Sequence, residues 1–312
     1  MKKQNPEQPD DDASKDPLPL PVRQSSLWVW ITPALSVAIL AVVAWNFRSL
    51  DFDQLMAAVP KNPFFWVAFF AYYFTGITFD FIVFRWLWGI PLEGLIALAR
   101  KNVSNELIVD YLGEAYFYSW ARRKVPMEGS PFGAVKDVAI LSALVANVFT
   151  LGMMAFVYPI AKDLNIGLTG SAVAASIGVI MVISIIVALF SRRIFSLGKK
   201  QLFEISLLHL ARLVFTNGLL ALCWSLALPD VAIGWWLVLA TTKMLLSRLP
   251  LISNKDVIFA AVAVLAVGRD TEIQILIALI TTLILMTHLT IGAALAVGDL
   301  VTLPPRKKDQ QA

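Results

Sequence analysis

Long apolar runs alternate with short clusters of charge along most of the chain. The runs cover 27–47, 64–88, 138–158, 168–190, 202–228, 232–246 and 273–297. Most approach or exceed the roughly 20 residues a helix needs to cross the hydrocarbon core of a bilayer. An eighth piece, 257–268, is only about a dozen residues long. As a helix it rises about 18 Å, less than the roughly 30 Å of the core. It either crosses with the help of its flanks or re-enters as a half-helix.

One stretch fits neither a span nor a loop. Between Pro91 and Lys124 apolar residues are interrupted by Glu93, Arg100, Lys101, Glu106, Asp110, Glu114, Arg122 and Arg123. The pattern predicts amphipathic helices in the interface, or segments that dip into the membrane inside the protein. The 64–88 run is dense in aromatics, from Phe64 and Trp66 to Tyr73 and Phe74. Its first residues suit an interfacial belt.

The ends are polar. Residues 1–24, rich in Pro, Asp and Lys, read as a disordered cytoplasmic tail. Residues 25–300 form the helical transmembrane domain, and 301–312 a basic cytoplasmic tail with Arg306, Lys307 and Lys308. With the N-terminus inside, the basic clusters at 85–136, 192–200, 243–255 and 306–308 all fall on the cytoplasmic side. The opposite loops hold only Arg48, Lys61, Lys162 and Arg269. This asymmetry follows the positive-inside rule and favours about eight crossings, with 257–268 slightly better as a full crossing. The fold class is all-α: a polytopic helical membrane protein of about eight spans, with broken or re-entrant helices as the alternative at the polar stretches of its two halves.

Composition agrees. The 312 residues are 58% hydrophobic and 15% charged, against about 25% charge in a soluble domain. The net charge of +4 comes from residues that flank apolar runs, so it points to topology and anionic lipid rather than nucleic acid. The lone Cys223 excludes a disulfide within the chain. His209 and His288 lack the spacing of a zinc site. No P-loop, dinucleotide fingerprint or hydrolase motif is present. No cofactor, metal or catalytic residue is expected.

Ionisable residues at membrane depth are the places to look for function. Glu106, Asp110 and Glu114 recur every four residues, so on one helix they form an acidic stripe. Its alternatives are a wet cavity, pairing with cations elsewhere, or a solvated face. Lys243, Arg248, Asn254, Lys255 and Asp256 form a second cluster at the start of a short helix, where free N–H groups and basic side chains suit a phosphate. Snorkelling topogenic charge is the alternative there. Asp80, His209, Arg212 and His288 stand singly on apolar runs. His209 and Arg212 share a helix face and are expected to pair with Asp80 or the acidic stripe.

Three passages carry a resemblance. Tyr111-Leu112-Gly113-Glu114-Ala115-Tyr116, followed by Arg122-Arg123-Lys124, is similar to a Gly-Glu/Asp segment and basic cluster of the transmembrane region of lysylphosphatidylglycerol synthase and its stand-alone flippase-like relatives. The stretch from Ser130 to Asp137 resembles that family's lead into its next span, and 249–268 its late polar turn and short helix. The chain departs from the family pattern at Lys136-Asp137, where a Glu-Arg pair is usual, and so looks like a divergent branch.

The resemblance implies movement of an anionic phospholipid or other polar lipid between leaflets of the bacterial inner membrane. Arg122, Arg123, Arg248 and Lys255 are expected to attract the headgroup, with Glu114 and Asp256 ordering those cations. The aminoacyltransferase domain of the longer relatives is not expected. Membrane lipids are the expected partners, with a second copy of the chain or a lipid-synthesis enzyme as further candidates. The competing expectations are a membrane-embedded enzyme acting on a lipid-linked substrate, with bases drawn from Glu106, Asp110, Glu114 or His209, and a small-solute transporter.

Overall fold

The computed structural model describes residues 59–108, 112–125, 131–163, 195–247 and 271–302, together with Gly178, Phe259 and Ala263. Every regular element among them is a helix: α1 (Pro63–Trp88), α2 (Gly94–Leu107), α3 (Leu112–Lys124), α4 (Pro131–Asp163), α5 (Lys199–Ala227), α6 (Ile233–Leu246) and α7 (Thr271–Thr302). Four of these, α1, α4, α5 and α7, are long and apolar enough to cross a membrane. At 14 residues, α6 rises about 21 Å and is too short to do so unaided. The apolar runs at 27–47 and 168–190, and most of 257–268, lie outside the described residues.

Local chemistry sets the helix ends. Asn62 caps α1 by accepting from the Phe64 N–H at 3.0 Å, and Pro63 occupies the first turn, where its missing N–H costs nothing. The helix stops at Gly89, whose φ of 62° is left-handed and whose N–H returns to the Arg85 carbonyl at 2.8 Å. A glycine takes that conformation without strain. α5 begins where the Gly198 N–H donates to Gln201 Oε1 at 3.1 Å.

The packing has two ends. At one, the start of α1 meets the end of α5 and the starts of α6 and α7. Phe65, Phe69, Leu220, Cys223, Trp224, Trp236, Phe259, Ile273 and Ile277 form an apolar cluster there. At the other, the end of α1 meets the starts of α4 and α5 and the faces of α2 and α3. Phe84, Ile90, Leu98, Phe117, Val135, Val138 and Ile205 close that cluster. Asp137, fully buried, accepts from the Ser196 and Leu197 N–H groups at 2.6 and 2.8 Å. It ties the start of α4 to the start of α5. Large side chains such as Phe64, Val67, Val148, Phe156, Phe203 and Phe215 face outward, as they do on helices surrounded by lipid.

The 91–124 stretch folds inward. α2 packs against α1, α3 and α7 and buries Ala97, Leu98, Arg100, Val103, Ser104 and Leu107. It pairs with α3, which buries Gly113, Phe117 and Ala121 and leaves its charged last turn exposed. The acidic stripe does not exist: α2 ends at Leu107 and α3 begins at Leu112, so Glu106 and Glu114 lie on different helices. Asp110 lies outside the described residues.

Candidate functional site

Gly113 is the hinge of the site. A Cβ there would overlap the Lys101 carbonyl and crowd Asn105 Oδ1. Only glycine lets α3 approach the backbone of α2 this closely. Its N–H donates to Asn105 Oδ1 at 2.7 Å, and the next residue, Glu114, turns back onto α2. There Glu114 Oε2 accepts from Asn105 Nδ2 at 2.9 Å, and Oε1 lies 3.5 Å from Lys101 Nζ.

From Lys101 the network crosses to α1 and α5. Lys101 Nζ donates to Asp80 Oδ2 at 2.5 Å. The other oxygen of Asp80 accepts from Arg212 Nη1 at 3.0 Å, and Arg212 Nη2 donates to Ser142 Oγ on α4 at 2.6 Å. The result is one chain of groups with alternating charge: Glu114, Lys101, Asp80, Arg212, then the Ser142 hydroxyl. Burial works against the Lys101 ammonium, but Asp80 and Glu114 outweigh it and hold the group above the usual lysine range.

These residues come from five helices and line one cavity of about 250 Å³. That is slightly below the roughly 300–1,000 Å³ usual for small-molecule sites. Asp80 lies eight residues before the end of α1, Ser142 eleven after the start of α4 and Arg212 thirteen after the start of α5. At 1.5 Å per residue the network sits about 12–20 Å in from the end these helices share.

His209 completes the lining, one turn before Arg212 on the same face of α5. It is 1% exposed. Neither ring nitrogen closes a hydrogen bond among the described residues, although the Val138 backbone approaches the ring.

A second polar group fastens α7. Tyr73 Oη and His288 Nδ1 share a hydrogen bond of 2.8 Å, and Arg100 Nη2 donates to the Leu295 carbonyl at 3.0 Å. Glu106 is within electrostatic reach of Lys243 on α6 and of Tyr72 and Tyr73. Lys243 also lies over the Phe259 ring at 5.6 Å.

The expected site residues divide. Glu114 lines the cavity, but it orders Lys101 and Asn105 rather than Arg122 and Arg123. Those two arginines are exposed at the far end of α3, where they reach Tyr118 Oη at 3.2 Å and Ser119 Oγ at 3.4 Å. They stand apart from the cavity. Arg248, Lys255 and Asp256 lie outside the described residues. The pairing of Arg212 with Asp80 is as expected. Lys101, Asn105 and Ser142 were missed as site residues. The four-residue spacing of Lys101 and Asn105, which puts both on one face of α2, is the signal that could have found the first two.

Among the described residues no cluster of His, Cys, Asp or Glu could hold a metal ion. No protein-family model matches the chain, and neither a curated protein nor a solved structure is significantly similar to it.

Proposed function

We propose that this chain is a multi-pass protein of the bacterial inner membrane that moves the polar head of a lipid between leaflets, as the flippase-like family it resembles is understood to do. The observation that carries the reading is the charged cavity built by five helices. Ionisable groups at membrane depth are expensive, and proteins keep them where they line a path for polar cargo. Here each charge is balanced by a neighbour, so the network is tolerable in the fold. The remaining space gives a headgroup a polar environment while its acyl chains stay in lipid.

Three further features support it. The Gly113-Glu114 pair of the resemblance brings α3 onto α2 and delivers Glu114 to the cavity. The charge map of the whole sequence fits about eight crossings with both termini inside. The broken helix pair α2–α3 is the kind of element that lines substrate sites in transporters. The cargo-binding cations on this reading are Lys101 and Arg212, rather than Arg122 and Arg123. Arg248, Lys255 and Asp256 keep their proposed place at the second polar stretch.

The test is a reconstituted leaflet assay. Vesicles carrying the purified protein and a phospholipid labelled on its acyl chain are treated with a reductant that bleaches only the outer leaflet. Protein-dependent loss of the protected fraction is expected, and Arg212→Ala should reduce its rate at least tenfold. Rates no faster than in protein-free vesicles, across anionic and zwitterionic lipids, would overturn the reading. A chemically altered lipid recovered from the same vesicles would replace it with the membrane-embedded enzyme.

A further inference from the structure

We infer that His209 is the ligand-contacting group of the cavity, and that the cavity takes a zwitterionic headgroup, an anionic phosphate joined to an ammonium. The inference rests on the translocase reading for its lipid, but its own evidence is the lining of the cavity.

His209 differs from its neighbours in what it leaves unused. Asp80 spends both carboxylate oxygens, on Lys101 and Arg212. Glu114 directs its two at Asn105 and Lys101. Arg212 commits both terminal nitrogens, and Ser142 accepts from one of them. His209 is as buried as any of them, yet its ring meets only the approach of the Val138 backbone and closes no side-chain hydrogen bond among the described residues. Buried polar groups are nearly always satisfied, and an exception calls for a water or a ligand. A neutral imidazole offers one donor and one acceptor, so its natural partner is a group that both gives and takes, such as an amine or a hydroxyl beside a phosphate.

The charge of the lining selects the class. The described cavity residues carry two cations, Lys101 and Arg212, and two anions, Asp80 and Glu114. They alternate in space, each cation lying against a carboxylate. A headgroup with net negative charge gains two cations but also meets the two carboxylates paired with them. A headgroup with one charge of each sign can exchange into one of these pairs, its phosphate beside Arg212 and its ammonium beside Asp80 or Glu114, so that each group released by its neighbour gains a new partner. This replaces the anionic headgroup expected from Arg122 and Arg123, which lie outside the cavity.

Binding and transport test different statements. The full-length protein in detergent is titrated with glycerophosphoethanolamine, the soluble zwitterionic headgroup, and with glycerol 3-phosphate, its anionic counterpart, following thermal unfolding. Glycerophosphoethanolamine is expected to bind at least tenfold more tightly. His209→Phe should abolish that preference, and His209→Gln, which keeps a donor and an acceptor, should retain part of it. Equal or tighter binding of glycerol 3-phosphate, binding of neither compound, or an unchanged preference in His209→Phe overturns the inference. The wild-type comparison decides the headgroup class even where His209→Phe does not fold. Zwitterion binding without lipid transfer in the vesicle assay leaves this inference standing and removes the translocase reading.

Discussion

The two ends of the α1–α5 pair are held by different forces. At the α1 start, Phe65 and Phe69 meet Leu220, Cys223 and Trp224, and Trp224 lies 5.7 Å from Trp236 across to α6. Toward the α1 end, Asp80 joins Lys101 and Arg212 around open space. In a bilayer the first kind of contact has little hydrophobic drive behind it, because lipid tails are as apolar as the side chains. Shape and dispersion hold it. The second kind is directional. It specifies which helices meet, and it can do so while leaving a cavity unfilled. A membrane protein that must keep a polar space open has reason to build that half from charges and the other half from rings.

The comparison breaks most visibly at Asp80. Asp80→Ala leaves Lys101 and Arg212 without the carboxylate between them. Removing one member of a buried charge network costs about 3–5 kcal/mol, and a large fall in unfolding temperature in detergent is expected. Asp80→Leu combined with Arg212→Met should recover more than half of that loss, since an apolar replacement of the whole pair is often neutral. Lys101 then keeps Glu114. The double variant should remain inactive in lipid transfer. Recovery of stability without transfer separates the two roles of the network. A cost for Asp80→Ala no larger than an ordinary core substitution would show that the charges do not hold this end.

Gly113 tests how the polar end is shaped. In Gly113→Ala the new Cβ meets the backbone carbonyl of Lys101, which cannot rotate away as a side chain could. Overpacking of this kind costs about 1–3 kcal/mol, and it should also displace Glu114 and lower headgroup transfer. Gly218→Ala on α5 is the control. Among the described residues nothing lies within 4 Å of a Cβ there, and alanine is favoured over glycine in a helix interior by about 1 kcal/mol. Its unfolding temperature should match or exceed that of the wild type.

The helices were far more legible than the site. Runs such as 64–88 and 202–228 announce themselves because every residue votes for the same solvent, and α1 and α5 fall within one to three residues of them. The site depends on which isolated polar residues meet, and that is decided by packing. Asp80, His209 and Arg212 stood out because each interrupts an apolar run. Lys101 did not, because it sits in a stretch where charge is common. Glu106, Asp110 and Glu114 misled because a four-residue period implies one face only while the helix continues. The break after Leu107, with α3 beginning anew at Leu112, removes that condition. Arg122 and Arg123 were conspicuous by being adjacent, but adjacent residues on a helix point different ways, and neither reaches the cavity.

The smallest effect is expected at the apolar end. Trp224 and Trp236 are almost wholly buried, and neither indole N–H has a hydrogen-bond partner among the described residues. Among the described residues Trp224→Phe therefore forfeits no hydrogen bond. What it loses is volume, and a residual cavity of some tens of Å³ at about 24 cal/mol per Å³ costs about 1 kcal/mol. The tilted ring contacts with Trp236 and Phe259 survive with a smaller ring. A shift in unfolding temperature much smaller than that of Asp80→Ala, with lipid transfer at wild-type rate, is the expected result. If transfer falls while stability holds, the apolar end takes part in the moving step, and the division between a packing half and a cargo half must be redrawn. If transfer is untouched, the tilted ring contacts contribute packing and no more.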